Sequence, residues 1–308
     1  MTMNSTTILN LALSVVLAPL LPGVINRTKA FFAGRKGPPL LQLYYDLWKL
    51  LHKGAVYSRT TSWVFRLGPA LGLAAVLTAL LIVPTGGGSS LLGFDGDLIL
   101  LAGLFGLMRF ITVLAALDTG SAFEGMGASR EVTFSALAEP AFLLGLAALA
   151  KLTGSLSLTG IFGGLTVESW WSAAPELALV AAAMFLVFLV ENARIPVDDP
   201  NTHLELTMIH EVMVLDHGGP DFAFILYGAA LKMWVMGMIL VQIVLPAHSG
   251  TWLVDLAVLL AGLLSLGVAV GTVESTMARL RMVRVPQLLV TAGALSVVAL
   301  VLVLRRPV

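Results

Sequence analysis

Between Glu191 and His217 the chain reads ENARIPVDDPNTHLELTMIHEVMVLDH, and nine of these residues are acids or histidines. Carboxylates and imidazoles at this density can exchange protons, pair with cations or ligate a metal. The metal reading fails on spacing. A zinc-protease helix needs a second histidine three residues after the glutamate of its His-Glu pair, and Val214 stands there after His210–Glu211. Proton and charge chemistry remains. Asp198, Asp199, Glu205 and Glu211, mixed with His203, His210 and His217, form a titratable surface of the kind a redox partner would face. Helical spacing puts His203, Thr207, His210, Val214 and His217 on one stripe, with Leu204, Leu206, Met208, Ile209, Val212 and Met213 supplying an apolar side. A solvated polar loop is the competing reading.

A second set of charges lies inside apolar runs. Arg109 and Lys232 fall near the middle of two of them, and Asp118, Glu139, Glu191 and Glu274 lie at or within about two turns of the ends of such runs, Asp118 at the end of the run that holds Arg109. An ionised side chain at the centre of a membrane helix costs about 2.5–3.5 kcal/mol on insertion scales, so such groups are normally paired, wet or functional. Snorkelling to headgroups or helix capping would equally account for the acids, and simple pairing with them for the two cations. Glu191 precedes Arg194 by three residues, a spacing that places both on one helical face.

The elements that must position these groups are membrane spans. The chain has 308 residues, 58% hydrophobic and 12% charged, with mean hydropathy +0.94, against about 25% charged in an ordinary soluble domain. Apolar runs of about 20 residues, the length a helix needs to cross a hydrocarbon core of about 30 Å, recur along it. The expected fold is an all-α integral membrane protein, one transmembrane domain over residues 1–308. Its eight spans are near 6–26, 64–84, 97–118, 134–154, 174–193, 221–245, 252–274 and 286–304. The first run lacks a basic leader and a cleavage pattern, and reads as a retained helix. Within the first loop, residues 38–53 are too short to span. They repeat apolar Leu40, Leu43, Tyr44, Leu47, Leu50 and Leu51 against polar Gln42, Tyr45, Asp46, Lys49, His52 and Lys53, an interfacial amphipathic helix for lipid or a partner subunit.

The first loop carries Arg27, Lys29, Arg35, Lys36, Lys49, Lys53, Arg59 and Arg66. The third, fifth and seventh add Arg130, Arg194, Arg279, Arg281 and Arg284, and the second, fourth and sixth carry no Lys or Arg. The positive-inside rule then puts the odd loops, including the acidic, histidine-rich loop at about 194–220, in the cytoplasm and both termini outside, with Arg305 and Arg306 on the wrong side. Most span acids therefore gather in the inner half of the membrane, as in a half-channel, while the outer ends hold chiefly Asp97, Lys151 and Asp255. Having no cysteine, the chain is not expected to ligate an iron–sulfur cluster, and no metal or cofactor is assigned to it. The formal net charge of zero offers nucleic acid no basic excess.

Four stretches in order, GRKGPPLLQLYYDLWKLL (34–51), ALDTGSAFEGMGASREVTFSALAEP (116–140), ENARIPVDDPNTHLELTMIHEVMVLDHGGPD (191–221) and ARLRMVRVPQLL (278–289), resemble the membrane anchor subunit of complex-I-like group 4 nickel–iron hydrogenases. That family is homologous to the first, quinone-site subunit of NADH:quinone oxidoreductase. The resemblance implies a non-redox, eight-span subunit in the cell membrane. It would dock hydrogenase large and small subunits and iron–sulfur subunits, which carry the [NiFe] centre and clusters, and couple electron transfer to proton or sodium movement through antiporter-like membrane subunits. The family's functional positions would fall on Glu139, Glu191, Arg194, Asp198, Asp199, Glu205 and Glu211, with His203, His210 and Arg281 as candidates for facing the redox arm. Asn201 and His203 stand where the quinone-reducing relatives would have Glu, which favours the hydrogenase branch, and Gly54 stands where the family commonly has an acid. The quinone-binding subunit of an NADH dehydrogenase and an autonomous ion transporter are the alternatives. The second ranks low, because no pair of matching Gly/Pro-broken spans marks two halves.

Overall fold

A computed structural model describes residues 5–198, 208–246 and 249–306. In chain order its helices are α1 (Ser5–Leu17), α2 (Leu20–Phe32), α3 (Gln42–Leu51), α4 (Trp63–Ile82), α5 (Asp97–Asp118), α6 (Ala122–Thr153), α7 (Leu158–Gly164), α8 (Val167–Ser172), α9 (Ala174–Glu191), α10 (Gly219–Val244), α11 (Trp252–Thr276) and α12 (Val285–Leu304). Short 3-10 turns cover Glu211–Val214 and Met282–Arg284, and the described residues include no strand. Helices α4, α5, α6, α9, α10, α11 and α12 are each long and apolar enough to cross a membrane. An eighth span is present if α1 and α2, bent by 45° at their break, count as one. This is a multi-pass helical membrane protein, in line with the all-α fold that the apolar runs predict.

The bend has a local cause. Pro19 has no N–H to give the carbonyl of Val15 one turn before it, and the hydroxyl of Tyr227 on α10 donates to that carbonyl at 2.8 Å. The hydroxyl of Tyr44 on α3 donates to the next carbonyl, that of Val16. The amphipathic helix is thus built into the bundle. It packs on α10 and α2, and its approach to α2 requires Gly23, where a Cβ would lie 2.1 Å from the carbonyl oxygen of Leu40. Leu41, Tyr45, Trp48 and Leu51 stay exposed on its far side.

Two differences from the sequence-based expectation affect the candidate site. Helix α6 begins at Ala122, a dozen residues before the apolar run that predicts it, and its 32 residues extend about 48 Å. The added turns carry Glu124 and Glu131, both buried, so hydropathy alone does not reveal them. Helices α7 and α8 fill the connection between α6 and α9 where no helix is expected. Arg306, which the loop-charge rule would put on the wrong side, pairs with Glu176, its Nε 2.8 Å from Oε1.

The core joins α4, α5, α6, α9, α10, α11 and α12 around Leu101, Leu146, Phe188, Leu231 and Leu263, all under 2% exposed. Ile99, Phe110 and Val297 remain on the outer surface of the spans, as an apolar solvent permits.

Candidate functional site

Arg109, from the middle of α5 and 8% exposed, meets three carboxylates. Its Nε is 3.2 Å from Oε1 of Glu131, and its two terminal nitrogens bond Glu139 and Glu191. Glu131 and Glu139 both come from α6, eight residues apart, and Glu191 is the last residue of α9. Lys232, in the middle of α10, places Nζ 2.6 Å from Oε2 of Glu191 and 2.9 Å from its carbonyl oxygen. A cation on the exposed carbonyl at a helix C-terminus answers both the missing hydrogen bond and the dipole.

The network continues into the segment that follows α9. His210 Nε2 lies 3.0 Å from Oε2 of Glu131, and Nδ1 lies 3.3 Å from Oδ2 of Asp198. Asp198 also accepts the backbone N–H groups of Ile209 and His210 and is 2.8 Å from Arg279. With His210 protonated, the order Lys232, Glu191, Arg109, Glu131, His210, Asp198, Arg279 alternates in sign throughout, and Glu139 branches from Arg109. Four cations then face four carboxylates, the pairing that makes buried charge tolerable.

His210 is the titratable centre of this chain. Burial lowers its pKa, but Glu131 and Asp198 on either side raise it more, to about 10. Asp198 sits below the usual carboxylate range: burial opposes ionisation, and His210 and Arg279 overcome it. A histidine whose folded pKa exceeds its unfolded value contributes stability that is complete below the unfolded pKa, near 6.5, and lost as pH rises through about 10. The melting-temperature gap between the wild type and His210→Gln should therefore be widest below about pH 6.5 and close toward pH 10. A gap independent of pH would show that His210 acts by packing alone.

Other candidates sit elsewhere. Glu191 and Arg194 do not pair, because α9 ends at Glu191 and the chain turns at Ala193, with φ of 51°. Arg194 instead approaches Glu274 of α11 at 3.5 Å, and Glu274 pairs with Lys29 of α2 at 2.8 Å. Asp118 accepts the N–H of Ser62 at 2.6 Å, tying down the start of α4 outside the connected set. Glu211 opens the first 3-10 turn, and Arg281 is exposed before the second. Asp199, His203 and Glu205 lie outside the described residues. The single histidine stripe does not form from 208 onward: a 3-10 turn replaces the α-helix, sending His210 to Glu131 and His217 onto Phe65 of α4. Among the described residues no group of three or more His, Asp or Glu side chains is arranged to hold a metal.

Glu131, Arg279 and Lys29 belong to these networks without having been singled out as site residues. The recurrence of Glu124, Glu131 and Glu139 at seven and eight residues, one side of a helix, is the signal that could have found Glu131. Its neighbour Gly127 lets the 208–217 segment lie against α6, since a Cβ there would fall 2.3 Å from Val212 and 2.8 Å from the carbonyl of Ile209.

Beside Arg109 a groove of about 280 Å³ runs between α5, α6 and α9. Its walls include Ile99, Gly103, Phe142 and Leu143, and Arg109, Glu139 and Glu191 also line it. The Glu139 side chain is 48% exposed, near the middle of α6.

Residues 5–304 match the family model described as NADH dehydrogenase. The chain is 33% identical to formate hydrogenlyase subunit 4 of Escherichia coli over 278 residues, 88% of this chain and 89% of that one. It is 31% identical to hydrogenase-4 component C of the same organism, over 86% and 84% of the two chains. An NADH-quinone oxidoreductase subunit of Rubrobacter xylanophilus is 27% identical over 77% of this chain and 72% of its own. A chain of the membrane-bound sulfane sulfur reductase, an archaeal respiratory membrane complex, has the same fold, with TM-score 0.84 and 20% identity over 97% of this chain and 98% of that chain.

Proposed function

The chain belongs to the NADH dehydrogenase family, alongside formate hydrogenlyase subunit 4 and hydrogenase-4 component C, and on that premise we propose that it is the coupling subunit of a membrane-bound hydrogenase. The observation that carries the proposal is the alternating chain of charge from Arg279 to Lys232. A chain of this kind converts a change of charge at one end into proton or ion movement at the other, because each group's affinity for a proton is set by its neighbours. The end bearing Asp198, His210 and Arg279 faces the redox arm, whose subunits carry the [NiFe] centre and the iron–sulfur clusters. This chain supplies the response to the electron and none of the electron carriers.

Glu139 marks the exit. A half-exposed carboxylate on the outer surface of a span is costly against lipid, so an antiporter-like membrane subunit covers the groove and meets that carboxylate with a donor or cation. The loop charges support an orientation in the cell membrane with the α3 end in the cytoplasm and the termini outside.

The experiment is purification of the complex containing this chain, followed by reconstitution. It should evolve or oxidise hydrogen with turnover indifferent to quinone-site inhibitors. In intact cells a cysteine at Ser89 should react with an impermeant reagent, while one at Lys36 should not. Inhibitor-sensitive quinone reduction without hydrogenase activity would transfer the assignment to the quinone-binding subunit. Labelling at Lys36 alone would invert the topology.

A further inference from the structure

Helix α2 ends in two aromatic side chains that the described chain leaves largely uncovered. Phe31 is 80% exposed and Phe32 51%, and their rings meet edge to face with centroids 5.8 Å apart. The turn that carries them is closed. Gly34 has a φ of 64°, which lets its N–H reach the carbonyl of Phe31 and the next N–H, that of Arg35, reach the carbonyl of Ala30 at 2.9 Å. These are the paired bonds of a Schellman motif. Arg27 donates from Nη1 to the carbonyl of Lys36 and ties the two sides of the turn together. The tip is therefore preformed, and it is basic: no acid occurs between residues 21 and 45, and Arg27, Arg35 and Lys36 are exposed.

The neighbours of α2 fix the height of this tip. Helix α2 runs alongside the span α11: a Cβ on Gly267 would lie 3.0 Å from Leu21, one on Gly271 would lie 2.6 Å from Thr28, and Lys29 pairs with Glu274, two residues before α11 ends. The start of α3 joins α2 nearer the bilayer centre, with Leu40 against Gly23. From Gly23 to Phe32 the helix rises about 13 Å, more than the roughly 5–8 Å of headgroup layer on one side of a bilayer. With the exposed Leu41, Tyr45, Trp48 and Leu51 of α3 resting in the interface, Phe31 and Phe32 stand above the headgroups, in water. An apolar patch on a rigid turn in water marks a contact with another protein. The tip also adjoins the end of the charge chain proposed to face the redox arm. Glu274, the partner of Lys29, is approached by Arg194, and Arg279, five residues further on, holds Asp198.

We propose that the α2 tip, Phe31 and Phe32 with Arg27, Arg35 and Lys36, is a docking point for the peripheral redox arm, which covers it with an apolar pocket rimmed by carboxylates. The inference rests on the coupling-subunit reading and its orientation, and adds the surface by which the arm is held. The two rings supply the buried anchor and the cations the charge complement, on a turn that loses little freedom when bound. An arm seated here lies over the end of the charge chain that bears Asp198 and Arg279.

The test places the photoreactive p-benzoylphenylalanine at Phe31 in the complex, in inverted membrane vesicles. The adduct should join this chain to one of the chains that a chaotrope strips from the vesicles together with the redox activity, while the same probe at Trp48 should label lipid. Phe31→Ser combined with Phe32→Ser changes only exposed side chains. It should leave this chain in the membrane and make the arm dissociate about tenfold faster. Arg35→Glu combined with Lys36→Glu should lower the salt concentration at which the arm leaves. Adducts from position 31 with lipid alone, or with a membrane-embedded chain alone, would overturn the proposal, as would wild-type retention of the arm in both double variants. Hydrogen evolution by the same vesicles separates the two readings. If it persists where docking at the tip fails, the coupling-subunit reading stands without this surface. If the vesicles reduce quinone and evolve no hydrogen, the hydrogenase reading falls, and an adduct with a stripped chain still upholds the docking point.

Discussion

Replacing Arg109 by Met should destabilise the bundle by about 3–5 kcal/mol, the cost of removing one partner from a buried ion pair, read as a large drop in melting temperature of the extracted protein. Three carboxylates converge on this guanidinium, and the loss falls on them unequally. Glu191 keeps Lys232 and Glu131 keeps His210. Glu139 is half-exposed, so its share depends on what covers the groove. Arg109→Lys should recover only part of the loss. A lysine brings a point charge to one or two acceptors, where the planar guanidinium addresses three directions at once. A Met variant as stable as the wild type would mean that the carboxylates share protons among themselves and that the cation is not their organiser.

Neutralising Glu191 should have the largest functional effect. Its two oxygens separate two cations, Arg109 and Lys232, so Glu191→Gln leaves the cations facing an amide that answers one of them well and the other poorly. Ion movement should fall about 5–150-fold, the range of a coupling free energy of 1–3 kcal/mol, while electron transfer without an opposing gradient persists. Glu191→Asp keeps the charge on a shorter arm and should fall between. Ion movement at the wild-type rate in Glu191→Gln would reduce the charge chain to a structural tie.

The sequence shows much of this arrangement because lipid imposes strict rules. Spans follow from apolar runs, and Arg109 and Lys232 stand out as cations that need partners. Helix α6 hides its first twelve residues because Glu124 and Glu131 are buried by the 208–217 segment and not by lipid, a tertiary fact with no local signature. The three-residue spacing of Glu191 and Arg194 misleads for a related reason. It holds only within a continuous helix, and α9 stops at the first of the two. His210 is visible as a titratable group, yet its position between Glu131 and Asp198 depends on a 3-10 turn and on the bare backbone of Gly127.

The two phenols at the first bend bear on how the chain is made. Synthesis delivers α1 and α2 well before α10, so Tyr227 arrives some 200 residues after the Val15 carbonyl it satisfies. Until then that carbonyl has no possible N–H from Pro19, and an unsatisfied peptide group in hydrocarbon costs several kcal/mol. The bent first span therefore waits at the interface, or beside water, while the later spans insert. Its seating is among the last events of biogenesis, and a chain truncated after α9 would leave it unseated.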